Sequence, residues 1–240
     1  MLKDIVRHGA KPAPPRLVVY GIEGIGKSTL AANAPNPIFL PTEEGLNQIE
    51  CSAFPKITEL GKLNEYLLAL NEEDHEFQTL VIDSVDWLER LIFRAVADQF
   101  GARSIEKVDG GYGRGYVYAV EVWREIVDRL DIIRANRKMG IILIGHAKDE
   151  KVTDPEASEI VRYSLRLNKH ASNLLCEWAD AVLFATRLSG AARGKDGGER
   201  ILRTQASASC VAKNRYGFDE ILPLEWAAIQ AGIAGKKNNN

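Results

Sequence analysis

Three cysteines in 240 residues, Cys51, Cys176 and Cys210, are too few and too far apart for a disulfide framework, and no C-x-x-C pair offers a zinc site. They read as buried free thiols. Long apolar runs are missing as well: nothing approaches the roughly 18 residues of a membrane span. The opening MLKDIVRHGAKPAPPR lacks the apolar core of a signal peptide. These absences lead us to expect a cytoplasmic protein with no membrane partner. Excess charge is missing too, since a formal net charge of -2 is no overall nucleic-acid signature. No internal repeat of 20 to 50 residues is visible.

With 45% hydrophobic and 27% charged residues, the chain can bury one sizeable core. Its charge is unevenly spread. Ile38 to Phe100 holds 4 Lys/Arg against 13 Asp/Glu, whereas Arg187 to Tyr216 holds 7 against 2. The first 15 residues, proline-rich at their end, read as an extended arm. Arg16 to Tyr20 (RLVVY) is a β-rich run, ended by a glycine turn and a helix from Lys27 to Asn33. PIFLPTEEG gives a second strand, Leu60 to Leu70 a helix, and Thr79 to Ser84 a third strand with a helix after it. A longer helix carries Val120, Trp123, Ile126, Val127, Leu130 and Ile133 on one side, closed by Gly140 before the strand IILIG.

Apolar strands alternating with helices predict an α/β fold with a mainly parallel central sheet covered on both faces. Beyond His146 the pattern turns to polar loops. Strands around Ala181 to Arg187 and Ile201 to Lys213 flank the tip SGAARGKDGGER, predicting a C-terminal antiparallel extension with a basic hairpin. The expected organisation is an arm over 1–15, a core over 16–225 and a tail over 226–240, with KKNNN disordered.

Gly21-Ile22-Glu23-Gly24-Ile25-Gly26-Lys27-Ser28 fits G-x-x-x-x-G-K-[ST] between a strand and a helix, the context a P-loop requires. Glycines let the loop's N–H groups turn around phosphates, Lys27 reaches the β- and γ-phosphates, and Ser28 gives an oxygen to Mg²⁺. Thr29 stands near the α-phosphate. The expected cofactors are therefore ATP and Mg²⁺. Asp83, closing the apolar strand Leu80-Val81-Ile82, matches the carboxylate that orders the metal, or else caps the following helix, a task Ser84 could also perform. Glu43 and Glu44 end the second strand, where either one could orient an attacking water, or form a plain acidic turn. His146 follows IILIG at the same sheet edge as a candidate γ-phosphate sensor, or bonds a neighbouring loop. Lys213 and Arg215, two apart on a predicted strand, share a face and could reach a γ-phosphate in the same subunit or across an interface.

GIEGIGKST, TEEG, LVIDS, LIGHAK and AKNRYG, in that order over about Arg16 to Pro223, resemble the core of a RecA-type P-loop ATPase of phages. The chain is similar to Sak-type single-strand annealing or recombination-mediator proteins and to the wider AAA-like phage ATP-binding family. The resemblance implies a RecA-like core and a water-activating role for Glu43, with Glu44 as its one-residue alternative. It implies a γ-phosphate sensor at His146, where bacterial recombinases use glutamine. It also places Lys213-Asn214-Arg215 across a subunit interface, hence a homo-oligomer with ATP between protomers. Gly110 to Tyr116 and Lys148 to Lys169, with Lys151, Arg162 and Arg166, become candidate single-stranded DNA contacts, unless Tyr112, Tyr116 and Tyr118 simply pack the adjacent helix.

At this length there is no room for a recombinase's large C-terminal domain, so annealing or mediation is expected rather than full strand exchange. The expected function is a DNA-stimulated ATPase in recombination or replication, in the host cytoplasm if phage-encoded, with phage recombination or replication proteins as partners. The alternative is a nucleotide-gated interaction module with little hydrolysis.

Overall fold

A computed structural model describes residues 12–152, 160–188 and 198–235. The arm up to residue 11, most of the basic hairpin tip and the last five residues lie outside the described residues.

The chain forms β1 (Arg16–Gly21), α1 (Lys27–Ala32), β2 (Pro37–Pro41), β3 (Ser52–Ala53), α2 (Leu60–Glu72), β4 (Thr79–Asp83) and α3 (Val85–Gln99). A short 3-10 helix (Ile105–Gly110) leads into α4 (Arg114–Asn136) and β5 (Gly140–Val152). Then come β6 (Ile160–Leu165), α5 (Lys169–Trp178), β7 (Ala181–Arg187), β8 (Arg200–Arg203), β9 (Lys213–Asn214), β10 (Ile221–Pro223) and α6 (Trp226–Gly235).

The sheet runs β10-β8-β7-β1-β5-β4-β2-β3, and every pair from β7 to β3 is parallel. β8, β9 and β10 join antiparallel at the β7 side. This is the expected α/β fold, mostly parallel with an antiparallel C-terminal extension. Successive residues of the central strands feed opposite faces, as period-2 geometry demands. Val18, Tyr20, Leu80, Ile82, Ile141 and Leu143 pack under α2 to α5. Leu17, Val19, Val81, Ile142 and Ile144 pack on the other face with Leu30 of α1 and Ile229 of α6.

Four local expectations are corrected. Gly140 does not close α4. The helix ends at Asn136 with Arg137 as its C-cap, Lys138 takes the positive φ of 59°, and Gly140 begins β5. The stretch after His146 is not a loop: β5 continues to Val152 and pairs antiparallel with β6, from Ala147↔Leu165 to Val152↔Ile160. The span Ile201 to Lys213 is strand only at its ends, as β8 and the start of β9. Trp226–Gly235 is a helix rather than a tail, and Gly232 lies so close to Phe218 that a Cβ would stand 2.3 Å from its ring. At the other end, Pro14 and Pro15 are already tied to the core: their carbonyls accept from Arg134 Nε (2.5 Å) and the Ile141 N–H (2.8 Å).

Candidate functional site: a phosphate loop facing two acidic strand ends

β1 ends where its neighbours allow no side chain. A Cβ on Gly21 would meet the Ala185 carbonyl oxygen of β7 at 2.3 Å. The loop then turns through Gly24 (φ 72°) and Gly26 (φ 112°), a backbone region that side chains disfavour. Space around Gly24 is open, but a Cβ on Gly26 would also meet Arg200 Nη1 at 2.9 Å. That Arg200 approach, from β8, was not foreseen in the sequence. Beyond the loop, Lys27 is buried and its amine donates to the carbonyls of Gly21 (3.1 Å) and Ile22 (2.9 Å). Burial lowers its pKa, and the carboxylates of Asp83, Asp86, Glu43 and Glu23 pull the other way. The amine rests on carbonyls of its own loop, a weak hold that an anion in the loop would displace.

Ser28 Oγ donates to Asp83 Oδ2 at 2.5 Å, joining the first turn of α1 to the end of β4. Burial raises the Asp83 pKa, the Ser28 bond opposes this, and the charge of Glu43 adds to the rise. The strand ends are tied together by Thr42, whose hydroxyl donates to the Ser84 carbonyl (2.7 Å) and accepts from the Ser84 N–H (2.9 Å). Two carboxylates follow Thr42 and part company. Glu43 turns inward to within 3.9 Å of His146 Nδ1, while Glu44 pairs with Lys56 at 2.8 Å and is largely exposed.

His146 sits at the end of the β1-paired part of β5, and Asp86, from the first turn of α3, holds it. The Asp86 carboxylate accepts from the His146 N–H (3.1 Å) and faces its Nδ1 at 3.0 Å. Arg166 Nη2 binds the same carboxylate at 2.9 Å and reaches Glu23 of the P-loop through Nη1 at 3.4 Å. Burial would push the Asp86 pKa up, but the bonds from His146 and Arg166 outweigh it and hold the group well below the usual carboxylate range. An ionised Asp86 favours a proton on Nδ1 and leaves Nε2 as the second ring nitrogen.

These groups surround a cavity of about 340 Å³ lined by Glu23, Gly24, Gly26, Lys27, Ser28, Thr29, Glu43, Glu44, Gly45, Leu46, Ile49, Asp83 and His146. Ile25, also expected at the phosphates, is buried in the core beneath the loop, so only its backbone can take part. Lys213 and Arg215 are not brought here within one chain. β9 pairs with the beginning of β7, Val182↔Lys213 and Ala181↔Asn214, at the opposite end of the strands from the P-loop. There the Lys213 amine donates to the Cys176 (2.9 Å) and Glu177 (2.6 Å) carbonyls at the end of α5, and Arg215 pairs with Asp180 at 3.6 Å. Two of the three tyrosines are packed. Tyr116 meets Phe93 edge-on, and Tyr118 lies 4.7 Å from Phe100 and donates to Asp109. Tyr112 stands fully in solvent at a positive φ of 51°.

The AAA domain family matches residues 13–216, most of the chain. The chain belongs to the AAA domain family. Over 143 residues, 56% of the chain, it is 30% identical to YorG, an SPβ prophage-derived protein of Bacillus subtilis strain 168, and covers 42% of that protein's length. A solved structure, that of the RadB recombinase, overlaps 79% of this chain and 80% of its own at 16% identity, with a TM-score of 0.47.

AAA-type P-loop NTPases use ATP with Mg²⁺, and the donor set fits both. Gly24 and Gly26 open the loop, Lys27 stands behind it, and Ser28 with Asp83 presents two hard oxygens 2.5 Å apart. Among the described residues, the charged groups lining the cavity apart from Lys27 and His146 are acidic, which suits a divalent cation arriving with its nucleotide. No helix among the described residues is long and apolar enough to cross a membrane.

Proposed function

We propose that this AAA-family chain hydrolyses ATP with Mg²⁺ and acts on single-stranded DNA in phage recombination or replication, in an annealing or mediator role of the Sak type. The observation that carries the ATPase part of this reading is the convergence of Lys27, Ser28, Asp83 and Glu43 on one cavity at the carboxyl ends of parallel strands, and the strand part rests on the resemblance to phage recombination ATPases. Mg·ATP, when bound, supplies the γ-phosphoryl group and the metal charge that neutralises it.

The protein's part is positioning and electrostatics. Lys27 exchanges its two loop carbonyls for phosphate oxygens, and Ser28 and Asp83 hold the metal and its waters. Thr29 closes the loop near the α-phosphate. Glu43, inward-facing, takes the proton of the attacking water; Glu44, drawn out to Lys56, is the less suited of the two. His146, fixed by Asp86, offers its second ring nitrogen towards the γ-phosphate. Lys213 and Arg215 lie a strand length away, so their part at the phosphates needs a neighbouring protomer and a homo-oligomer with ATP at the interface. Tyr112, exposed beside Arg114, is the aromatic we assign to stacking on a single strand.

The same placement of Lys213 and Arg215 favours one second reading. Alone, a chain in which Lys27 is the only lysine or arginine of the cavity lining among the described residues binds nucleotide but turns it over slowly, and would serve as a nucleotide-gated interaction module.

The deciding experiment is Mg²⁺-dependent ATP hydrolysis by the purified protein, with and without single-stranded DNA, beside Lys27→Ala. DNA-stimulated turnover, lost in Lys27→Ala and restored when Lys27→Ala and Arg215→Ala chains are mixed, supports the full reading. ATP binding without turnover in any condition moves the assignment to the gated module.

A further inference from the structure

Away from the P-loop, and sharing no residue with its cavity, a second hollow of about 380 Å³ lies between the β5–β6 hairpin and α5. Its chemistry is the reverse. Among the described residues, Lys148, Lys151, Arg162 and Lys169 line it beside the carboxylate of Glu150. The strand register explains how Lys148 and Arg162 come together. Lys148 lies opposite Ser164 and Glu150 opposite Arg162, so period-2 alternation brings all four to one face of the hairpin. The N-terminal half of the ten-residue α5 supplies Lys169, Ser172 and Asn173, adding the positive end of a helix.

Two donors in this hollow have no hydrogen-bond partner among the described residues. Ser164 is 4% exposed and its Oγ has no hydrogen-bond partner, and neither has the buried Nε of Arg162. Arg162 Nη2 donates to Glu150 at 3.1 Å. Lys148 is anchored, donating to the Leu167 carbonyl at 2.7 Å, and so holds the floor of the hollow in place. Buried donors without acceptors are uncommon in folded proteins and call for a ligand that satisfies them. Guanidinium, hydroxyl and ammonium groups around one hollow match the oxygens of a phosphoryl group.

We propose that this hollow is a second phosphate-binding site, in which Arg162 Nε and Ser164 Oγ donate to phosphoryl oxygens and the lysines balance the charge. Two sources present that chemistry, the phosphodiester of a nucleic-acid strand and a free phosphate or nucleotide, and its size accommodates either. The site stands independently of whether the P-loop hydrolyses ATP.

The test uses the full chain with its P-loop first saturated by Mg²⁺ and a non-hydrolysable ATP analogue. One arm measures radiolabelled inorganic phosphate by equilibrium dialysis, the other fluorescent oligo(dT) by anisotropy across a salt series. Arg162→Gln should weaken the arm that reads the true source about tenfold. If that source is the strand, it should also lower the slope of log affinity against log salt by about one. Ser164→Ala should weaken the same arm by a smaller factor and leave the melting temperature unchanged, because the hydroxyl it removes has no partner. Ser164→Ala therefore keeps the test decisive if Arg162→Gln folds poorly.

Loss in the oligo(dT) arm assigns a strand, and loss in the phosphate arm alone assigns a free anion. Wild-type binding undiminished by either variant in both arms, or no wild-type binding in either, overturns the site. Absent ATP turnover with variant-sensitive phosphate binding would overturn the proposed ATPase and leave this site standing.

Discussion

The parallel strands begin and end in charge, and the two ends are built on different principles. Where β1 and β7 begin, Arg16 binds Asp180 at 3.0 Å and Asp131 at 3.4 Å and lies over the Trp178 ring. Arg134 and Arg215 close on Asp180 from either side at 3.6 Å, and Trp178 Nε1 donates to Asp131 at 3.0 Å. Each carboxylate there is answered by a cation from another element, so the cluster is complete and fastens β1, α4, α5 and β9 together. Where β1, β2 and β4 end, Arg166 and Lys56 answer Glu23 and Glu44 from outside, but Glu43 and Asp83 face a cavity in whose lining Lys27 is the only lysine or arginine among the described residues. Complete charge clusters staple a fold, and incomplete ones that border a cavity await a ligand.

Substitutions at the two ends should therefore fail differently. Lys27→Ala should lower ATP turnover by about a thousandfold or more with the melting temperature unchanged or raised; a steady-state assay beside a thermal melt checks both. Asp180→Ala should do the reverse. Leaving Arg16 partly buried without its main partner should cost about 3 kcal/mol. In a chain of this size that is a fall of about 6 to 12 °C in melting temperature, with nucleotide affinity per folded molecule retained. Loss of nucleotide binding without loss of stability in Asp180→Ala would break the comparison.

Finer effects sharpen it. Glu43→Gln should slow hydrolysis about a hundredfold and keep ATP affinity, whereas Glu44→Gln should stay within about twofold in the same assay. Glu89 gives a pH signature on α3, outside both clusters. Burial holds its carboxyl up at about 7, against an ordinary value of 4.5, although the Asn168 N–H donates to it at 2.9 Å. The folded state thus keeps a proton that the unfolded chain releases. Stability from this group is full below pH 4.5 and declines as pH rises towards 7. Glu89→Gln should therefore change little at pH 5 and stabilise by about 2 kcal/mol at pH 8, read as a difference in denaturation midpoints. Smallest of all, Lys213→Met should cost about 1 kcal/mol, by freeing the two carbonyls at the end of α5.

Much of this arrangement was legible in local order. The P-loop and the strand end at Asp83 are read from contiguous residues whose spacing has one structural meaning, and the strand-helix alternation carried the fold class with them. Glu43 and Glu44 were not separable in the sequence, because adjacent residues after a strand point to opposite sides and only the tie from Thr42 to Ser84 and the pull of Lys56 on Glu44 decide which turns inward. Lys213 and Arg215 show the limit most clearly. Which end of the sheet they reach depends on the pairing of β9 with β7, a register set some thirty residues away in the chain. Nothing local marks Asp86, one acid in the first turn of a helix. Its hold on His146 and Arg166 exists only after residues 60 and 80 positions distant come together. Helix α5 escaped notice because it buries only Ala171, Leu175 and Trp178, too few apolar residues to stand out among its polar neighbours.

Gly21 carries a consequence for how this sequence can drift. It is counted as the first glycine of a phosphate loop, yet what forbids a side chain there is the Ala185 carbonyl of the neighbouring strand, 2.3 Å from where a Cβ would stand. Gly24 meets no such obstacle and serves only the turn around the phosphates. A lineage that abandoned nucleotide would thus be free to change Gly24 and Lys27 while selection for a closed sheet still preserved Gly21. A glycine surviving alone at that position would be the fossil of a fold, not of an activity.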